Sequence, residues 1–397
     1  MKNTNPDIPE TVYKRILKRE ENLDKIRGCL VGGGIGDALG YPVEFLGEEQ
    51  IFSKYGSKGI TEYELDHATG KALISDDTQM SLFTATGLLV GDTRGKLRGI
   101  RALPRQYVIM AYNDWLKTQE MSFEEYSRID RDEKKAVSWL MGVAGMFSQR
   151  APGNTCLSAL HARQRGDGFE ESYISTPLNN SKGCGGIMRV APLALDYEDV
   201  AFEDIDMEAA EISAITHGHS LGYMPSAVLV HIINSIVFTG EKAPLKDIIA
   251  GAKDAVSDLF RGDGHLKELT DIIDLAVSLS ENTDTDLNNI NRIGEGWVAE
   301  ETLGIALYCA LRYEDDFSAG VIAAVNHKGD SDSTGAVTGN ILGALLGYEA
   351  IEEKWKKDLE LMDIILEIAD DICHGCQMEE YSPYRDPDWE RKYIHIL

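Results

Sequence analysis

DKIRGCLVGGGIGDALGYPVEF, residues 24–45, decides the fold, because its glycines can be read either as a nucleotide-binding loop or as one face of a helix. The loop reading fails on spacing: there is no G-x-G-x-x-G, no strand-like run before it and no G-K-[ST] after it. Gly28, Gly32, Gly36 and Gly40 recur every four residues, which is the period of a helix face. A glycine costs a helix roughly 1 kcal/mol relative to alanine, so four on one face sacrifice about 4 kcal/mol of propensity. The usual compensation is close approach of a second backbone. A matching stripe exists at Gly335, Gly339, Gly343 and Gly347, so these two helices are expected to cross closely in the core. An antiparallel arrangement would bring Asp37 and Glu44 near Asp330 and Asp332.

The second stripe opens with KGDSDSTGAVTG, Lys328–Gly339. Asp330, Ser331, Asp332, Ser333 and Thr334 put five oxygen side chains in five residues, the hard-donor set that suits Mg, Mn or Ca. The same residue types are preferred as helix caps, so either role accounts for the stretch taken alone. An EF-hand is set aside, because its twelfth position would be Ile341 rather than Glu. The run ALISDDTQMSLFTATGLL repeats the grammar: Ser75, Asp76, Asp77 and Thr78 precede an apolar helix. Carboxylates from several helix starts meeting at one point would repel unless a cation lay between them. A metal site thus explains both stretches and Glu44 with one assumption.

The rest of the chain sets limits. With 39 basic and 66 acidic residues among 397 and a net charge of −27, nucleic acid and anionic membranes are unsuitable partners. Hydrophobic content of 43% with no apolar run judged long enough to cross a membrane marks a soluble globular protein. Met224–Phe238 reads as a buried helix. The polar N-terminus lacks a signal-peptide core, which makes a cytoplasmic setting the expectation. Six dispersed cysteines form no disulfide framework. Cys373 and Cys376, in C-H-G-C, suit a metal or redox role or a half-buried helix end, and no second ligand pair at zinc spacing accompanies them.

Residues 1–23 read as a polar extension, 24–378 as one domain and 379–397 as a charged tail for docking or surface. Lys134–Gln149 is expected to be helical, with Ala136, Val137, Leu140, Val143, Ala144 and Phe147 on one face, and Thr283–Asn291 to be an Asn/Asp-rich loop. The run Asn179–Arg189, NNSKGCGGIMR, leads a glycine-rich loop into a helix; its amides could hold phosphate or it could be a plain turn. His217 and His219 sit at a helix junction, where a structural histidine is the commoner case. No segment alternates long enough to demand a sheet, whereas around ten have helical period. The expected fold is all-α: a single large orthogonal helical bundle with a binuclear metal site at helix N-termini.

Taken together, SDDTQM, GCGGIMRVAPLAL, THGHSLGY, GEGWVAEE and GDSDSTGAVTGN resemble the ADP-ribosylglycohydrolase family, including the dinitrogenase reductase-activating glycohydrolases and the ADP-ribosyl-acceptor hydrolases. The motifs fall in family order from about Asp24 to about Tyr348. The resemblance implies two divalent cations, Mg or Mn, and cleavage of ADP-ribose from a modified protein side chain. It implies Ser75, Asp76, Asp77, Asp330, Asp332 and Ser333 as metal ligands. Glu44 matches the family's mobile glutamate, and Glu44 or Asp77 is the expected acid or base. Gly183, Gly185, Gly186 and Met188 match the loop that contacts ribose and diphosphate, and His217 matches a histidine near the diphosphate. Serine at 75 with Asp-Ser-Asp-Ser-Thr looks most like the arginine-specific members. ADP-ribosyl-serine, a small ADP-ribose ester and a non-catalytic ADP-ribose binder are the alternatives.

Overall fold

The computed structural model describes residues 9–99, 102–165, 169–196, 201–239 and 243–394. Among these the fold is all-α, and β-type pairing is confined to two isolated bridges, Ala72 with Leu359 and Gly183 with Val298. The helices that matter to the argument are α1 (Glu10–Arg19), α2 (Leu23–Gly40), α3 (Glu48–Tyr55), α4 (Asp76–Arg98) and α5 (Pro104–Glu120). There follow α6 (Phe202–Ala214), α7 (Ser220–Phe238), α8 (Leu245–Leu259), α9 (Leu266–Ser280) and α10 (Ala299–Arg312). The last three are α11 (Ser331–Leu346), α12 (Met362–His374) and α13 (Pro387–Tyr393).

The two glycine-striped helices, α2 and α11, form the centre. Gly28 faces Gly343, Gly32 faces Gly339, Gly36 faces Gly335 and Gly40 faces Ser331, so the helices are antiparallel. A Cβ on Gly36 would lie 1.9 Å from the Gly335 carbonyl oxygen, and one on Gly343 would lie 1.9 Å from that of Gly28. Only hydrogen fits between backbones this close, where Cα–H groups point at carbonyl oxygens. The register holds over twelve residues of α2, or about 18 Å at the helical rise. The helices therefore lie alongside one another rather than crossing at one point. Gly347 departs from the stripe: at φ +85° it ends α11 in the left-handed region and abuts Asp24.

Around this pair the other helices bury a continuous apolar core. By length and composition α7 could cross a membrane, contrary to the reading that no run was long enough; 89% of it is buried inside the protein. It is a core helix, as its sequence suggested. Both ends of the described chain pack on this body. Val12 of α1 is buried, Trp389 of α13 donates to Thr93 Oγ1 at 2.9 Å, and the Tyr393 hydroxyl donates to Asp371 at 2.7 Å.

Two local expectations fail. Lys134–Gln149 is not a helix but a turn followed by short 3-10 segments, Trp139–Gly142 and Ala144–Met146. Buried Asp114 accepts the Val137 and Ser138 amides at 2.7 and 3.0 Å, and the Ser138 hydroxyl accepts the Leu140 amide. A side chain on α5 thus takes the amides a helix would have used, while Leu140, Met141 and Met146 still reach the core. In the expected loop at 283–291, Asp286–Ile293 is helical: Thr285 caps it and Ile290 and Ile293 are buried. Apolar spacing overrides the asparagines there.

Candidate active site at two helix N-termini

The antiparallel pairing places the C-terminal end of α2 beside the start of α11, and the start of α4 closes the third side. Ser75 caps α4, its hydroxyl accepting the Asp77 amide at 3.1 Å. A second cap comes from another helix. The Asp37 carboxylate, on α2, accepts the amides of Ser75 and Thr78 at 3.0 and 3.1 Å and the Thr78 hydroxyl. Asp330 precedes α11 but makes no capping bond with its side chain, and Asp332 accepts the neighbouring Ser333 amide at 3.0 Å. Asp37 thus serves as a cap, while Asp330 turns its carboxylate oxygens to the Cys184 thiol and the other acidic side chains rather than to its own helix.

Those oxygens meet others. Ligand atoms of Glu44, Asp330 and Asp332 lie within 4.8 Å of one another, all three residues buried. The Ser333 hydroxyl donates to Asp77 Oδ2 at 2.8 Å, which joins the α4 motif to the α11 motif. Asp76 accepts the Gly153 amide at 3.4 Å. A cavity of about 190 Å³ is lined by Glu44, Asp76, Asp77, Asp330, Asp332 and Ser333 on one side. Gly183, Cys184, Gly185, Met188 and His217 line the other. Of the residues inferred from sequence, Ser75 and Gly186 are the two outside this lining. Ser75 is fully buried at its cap, and Gly186 packs behind the loop, where a Cβ would meet Ser213 at 2.8 Å.

The electrostatics are those of a cation site. Burial followed by repulsion from Asp332 pushes Glu44 up to about 10 and Asp37 up to about 7. The same two causes hold Asp76, Asp77 and Asp330 far above the ordinary carboxylate range. Glu44 Oε2 is buried with no hydrogen-bond partner among the described residues. An orphaned carboxylate oxygen among crowded carboxylates fits a divalent ion with hard oxygen ligands, the donor set read from the sequence.

The opposite wall is polar without being basic. Lys182 accepts the Ala299 amide through its carbonyl at 2.9 Å, and its Nζ pairs with buried Glu300, which fixes the glycine loop to the start of α10. Burial lowers the His217 pKa to about 3, so the ring is neutral. Arg189 donates to the Thr216 hydroxyl at 2.6 Å, leaving that hydroxyl's proton for His217 Nδ1 at 2.9 Å. This assigns the hydrogen to Nε2, which faces Gly183 and Gly185. The Arg189 guanidinium is fully buried over the Tyr112 ring, 4.4 Å from its centroid.

Sequence reasoning assigned no role to Arg189, Cys184 or Trp297 and did not foresee the capping role of Asp37. Cys184 lies in the glycine loop with Sγ 2.6 Å from Asp330 Oδ2, and Trp297 lines the cavity. Their motifs had been singled out, but their partners are more than a hundred residues away along the chain. Cys373 and Cys376 are free thiols that donate to the Arg19 and Met378 carbonyls, and both are buried rather than half-buried at the end of α12.

An all-α bundle whose helix starts deliver clustered carboxylates opposite a glycine loop has the build of a metal-dependent hydrolase. The chain belongs to the ADP-ribosylglycohydrolase family, whose sequence model matches residues 18–382. ADP-ribosyl hydrolysis with divalent metal is the chemistry of that family. Human ADP-ribosylhydrolase ARH3 is 24% identical over 365 residues, covering 85% of this chain and 90% of the relative. ADP-ribosylarginine hydrolase Tri1 of Serratia proteamaculans is 23% identical, covering 92% and 83%. A solved structure titled ADP-ribosylglycohydrolase-related protein complex shares the fold at a TM-score of 0.59 and 23% identity, over 90% of this chain and all of that one.

Proposed function

We propose that the protein is a cytoplasmic hydrolase that removes ADP-ribose from arginine side chains of modified proteins, using two divalent cations, Mg or Mn. The observation that carries this reading is the shared cavity, with carboxylates of α4 and α11 on one wall and the Gly183–Gly185 loop on the other. Asp76, Asp77, Asp330 and Asp332, with Ser75 and Ser333, would hold the cations. When bound, these neutralise the carboxylates and polarise the ribose hydroxyls. The loop amides and His217 Nε2–H hold the diphosphate, an anion that a net-acidic protein must bind through backbone dipoles rather than a basic cluster.

Glu44 acts as general base and acid beside the cations, because its Oε2 has no hydrogen-bond partner among the described residues, whereas Asp77 is engaged by Ser333. It takes a proton from water as the oxygen bonds to C1″. The C1″–N bond breaks with its electron pair going to the guanidine nitrogen, and Glu44 returns the proton there.

ADP-ribosyl-serine or a small ADP-ribose ester is the second reading, since relatives named with and without an arginine specificity are equally distant from this chain. Side-by-side turnover of ADP-ribosyl-arginine, ADP-ribosyl-serine and an ADP-ribose ester, with Mg or Mn, tests the choice. Preference for the arginine conjugate is expected; preference for either oxygen-linked substrate moves the assignment to the second reading. ADP-ribose binding without turnover of any of the three makes the protein a binder.

A further inference from the structure

Beside the catalytic cavity lies a larger groove of about 1000 Å³, lined by α3, the segment 291–298 and Lys328. Trp297 lines both spaces and is the residue they share. Phe45 stacks on Trp297 with centroids 6.0 Å apart and planes 23° apart. These rings are 71% and 39% exposed; Trp297 lines the cavity, and Phe45 directly follows Glu44, which lines it too. Large aromatic rings left in water beside a cavity have no packing rationale, and their π faces attract guanidinium groups.

The groove's charged lining is Glu48, Glu49, Glu295 and Glu301 against Lys328. Glu301 accepts the backbone amides of Glu295 and Gly296, and Glu295 pairs with Lys328 at 3.0 Å. Among the described residues Glu48 and Glu49 have no cationic partner within 4 Å, and Glu49 is exposed. The whole chain is acidic, so charge alone selects nothing. The Trp297 wall shared with the cavity and the aromatic pair single this groove out, and a small leaving group would not need its volume.

We propose that the groove seats the polypeptide segment that carries the ADP-ribosylated residue. Basic side chains flanking the modification lie against Glu48 and Glu49, and the acceptor side chain crosses the Phe45–Trp297 platform into the cavity. The proposal rests on the hydrolase reading above, and its test separates the two.

The full chain is assayed on free ADP-ribosyl-arginine and on ADP-ribosylated peptides that differ only in lysine or glutamate flanks. Binding of the unmodified lysine-flanked peptide is measured by calorimetry. Lysine flanks are expected to raise kcat/KM about 10-fold over glutamate flanks at low salt, with the preference fading near about 0.5 M salt. The Glu48→Gln/Glu49→Gln double variant is expected to shrink that ratio about threefold and to weaken peptide binding. Flank-independent kcat/KM alongside turnover of the free conjugate overturns the groove assignment and leaves the hydrolase standing. No turnover of any substrate, with peptide binding still dependent on Glu48 and Glu49, overturns the hydrolase and leaves the groove. Unchanged peptide binding in the double variant overturns the groove whatever the turnover.

Discussion

Gly36→Ala sets two known energies against each other at the centre of the fold. Alanine gains about 1 kcal/mol of helix propensity over glycine. The new methyl, however, would sit 1.9 Å from the Gly335 carbonyl oxygen and 2.3 Å from its carbon, both backbone atoms that cannot rotate away. Restoring a contact of about 3.5 Å requires α2 and α11 to part by about 1.6 Å near their functional ends. Overpacking of this kind costs about 3 kcal/mol, which leaves about 2 kcal/mol of net destabilisation. For a chain of this size that lowers Tm by about 2 °C. Gly251→Ala on α8 is the control: nothing lies within 4 Å of its Cβ, so the propensity gain should appear undiminished. Differential scanning calorimetry with and without Mn measures both. The damage should extend to function, because Asp37 adjoins Gly36 and the parting would pull it from the α4 amides it caps. Gly36→Ala with wild-type Tm and a wild-type Mn-induced shift would refute the close-packed pairing as the determinant of the site.

Cation binding should stabilise the protein more as pH rises. Asp37, at about 7, and Glu44, at about 10, both lie above their unfolded values, so their contribution to the metal-free fold is complete below about pH 4 and is lost through those folded values. The Tm gain from Mg should therefore grow from pH 5 to pH 8.5, and a flat or shrinking gain contradicts the carboxylate assignment. Asp332→Asn and Asp77→Asn should each abolish turnover. Asp332→Asn should also hold or raise the metal-free Tm by removing a buried repulsion, while losing most of the roughly 2.7 kcal/mol that ligand at a hundredfold excess over Kd supplies; a lowered metal-free Tm with an intact cation response counts against it. Lys182→Met leaves Glu300 buried without its cation and should cost about 1–3 kcal/mol. It should raise KM more than it lowers kcat, and an unchanged KM in steady-state assays removes the loop-anchoring role.

The glycine stripes made the central helix pair legible because their propensity cost demands a compensating contact, and only one partner of the same spacing exists. The acidic helix starts were legible as a pair for the same reason: two coincident caps invite one explanation. The 134–149 segment was not, because its helical periodicity is real but Asp114 of α5 captures its amides, a tertiary contact with no local trace. Asp37 shows the same limit in the site: nothing in GDALG says that its carboxylate caps α4 thirty-eight residues later. Arg189 was hidden by type, since a fully buried guanidinium over Tyr112 is invisible to any rule that places arginine at the surface.

Manganese anomalous diffraction from crystals of the wild-type chain tests the central claim most directly. The account predicts two peaks in the cavity, within bonding distance of carboxylate oxygens from both α4 and the start of α11. Ordered manganese bound only outside that cavity, with the Asp77, Asp330 and Asp332 carboxylates left uncoordinated, would contradict it.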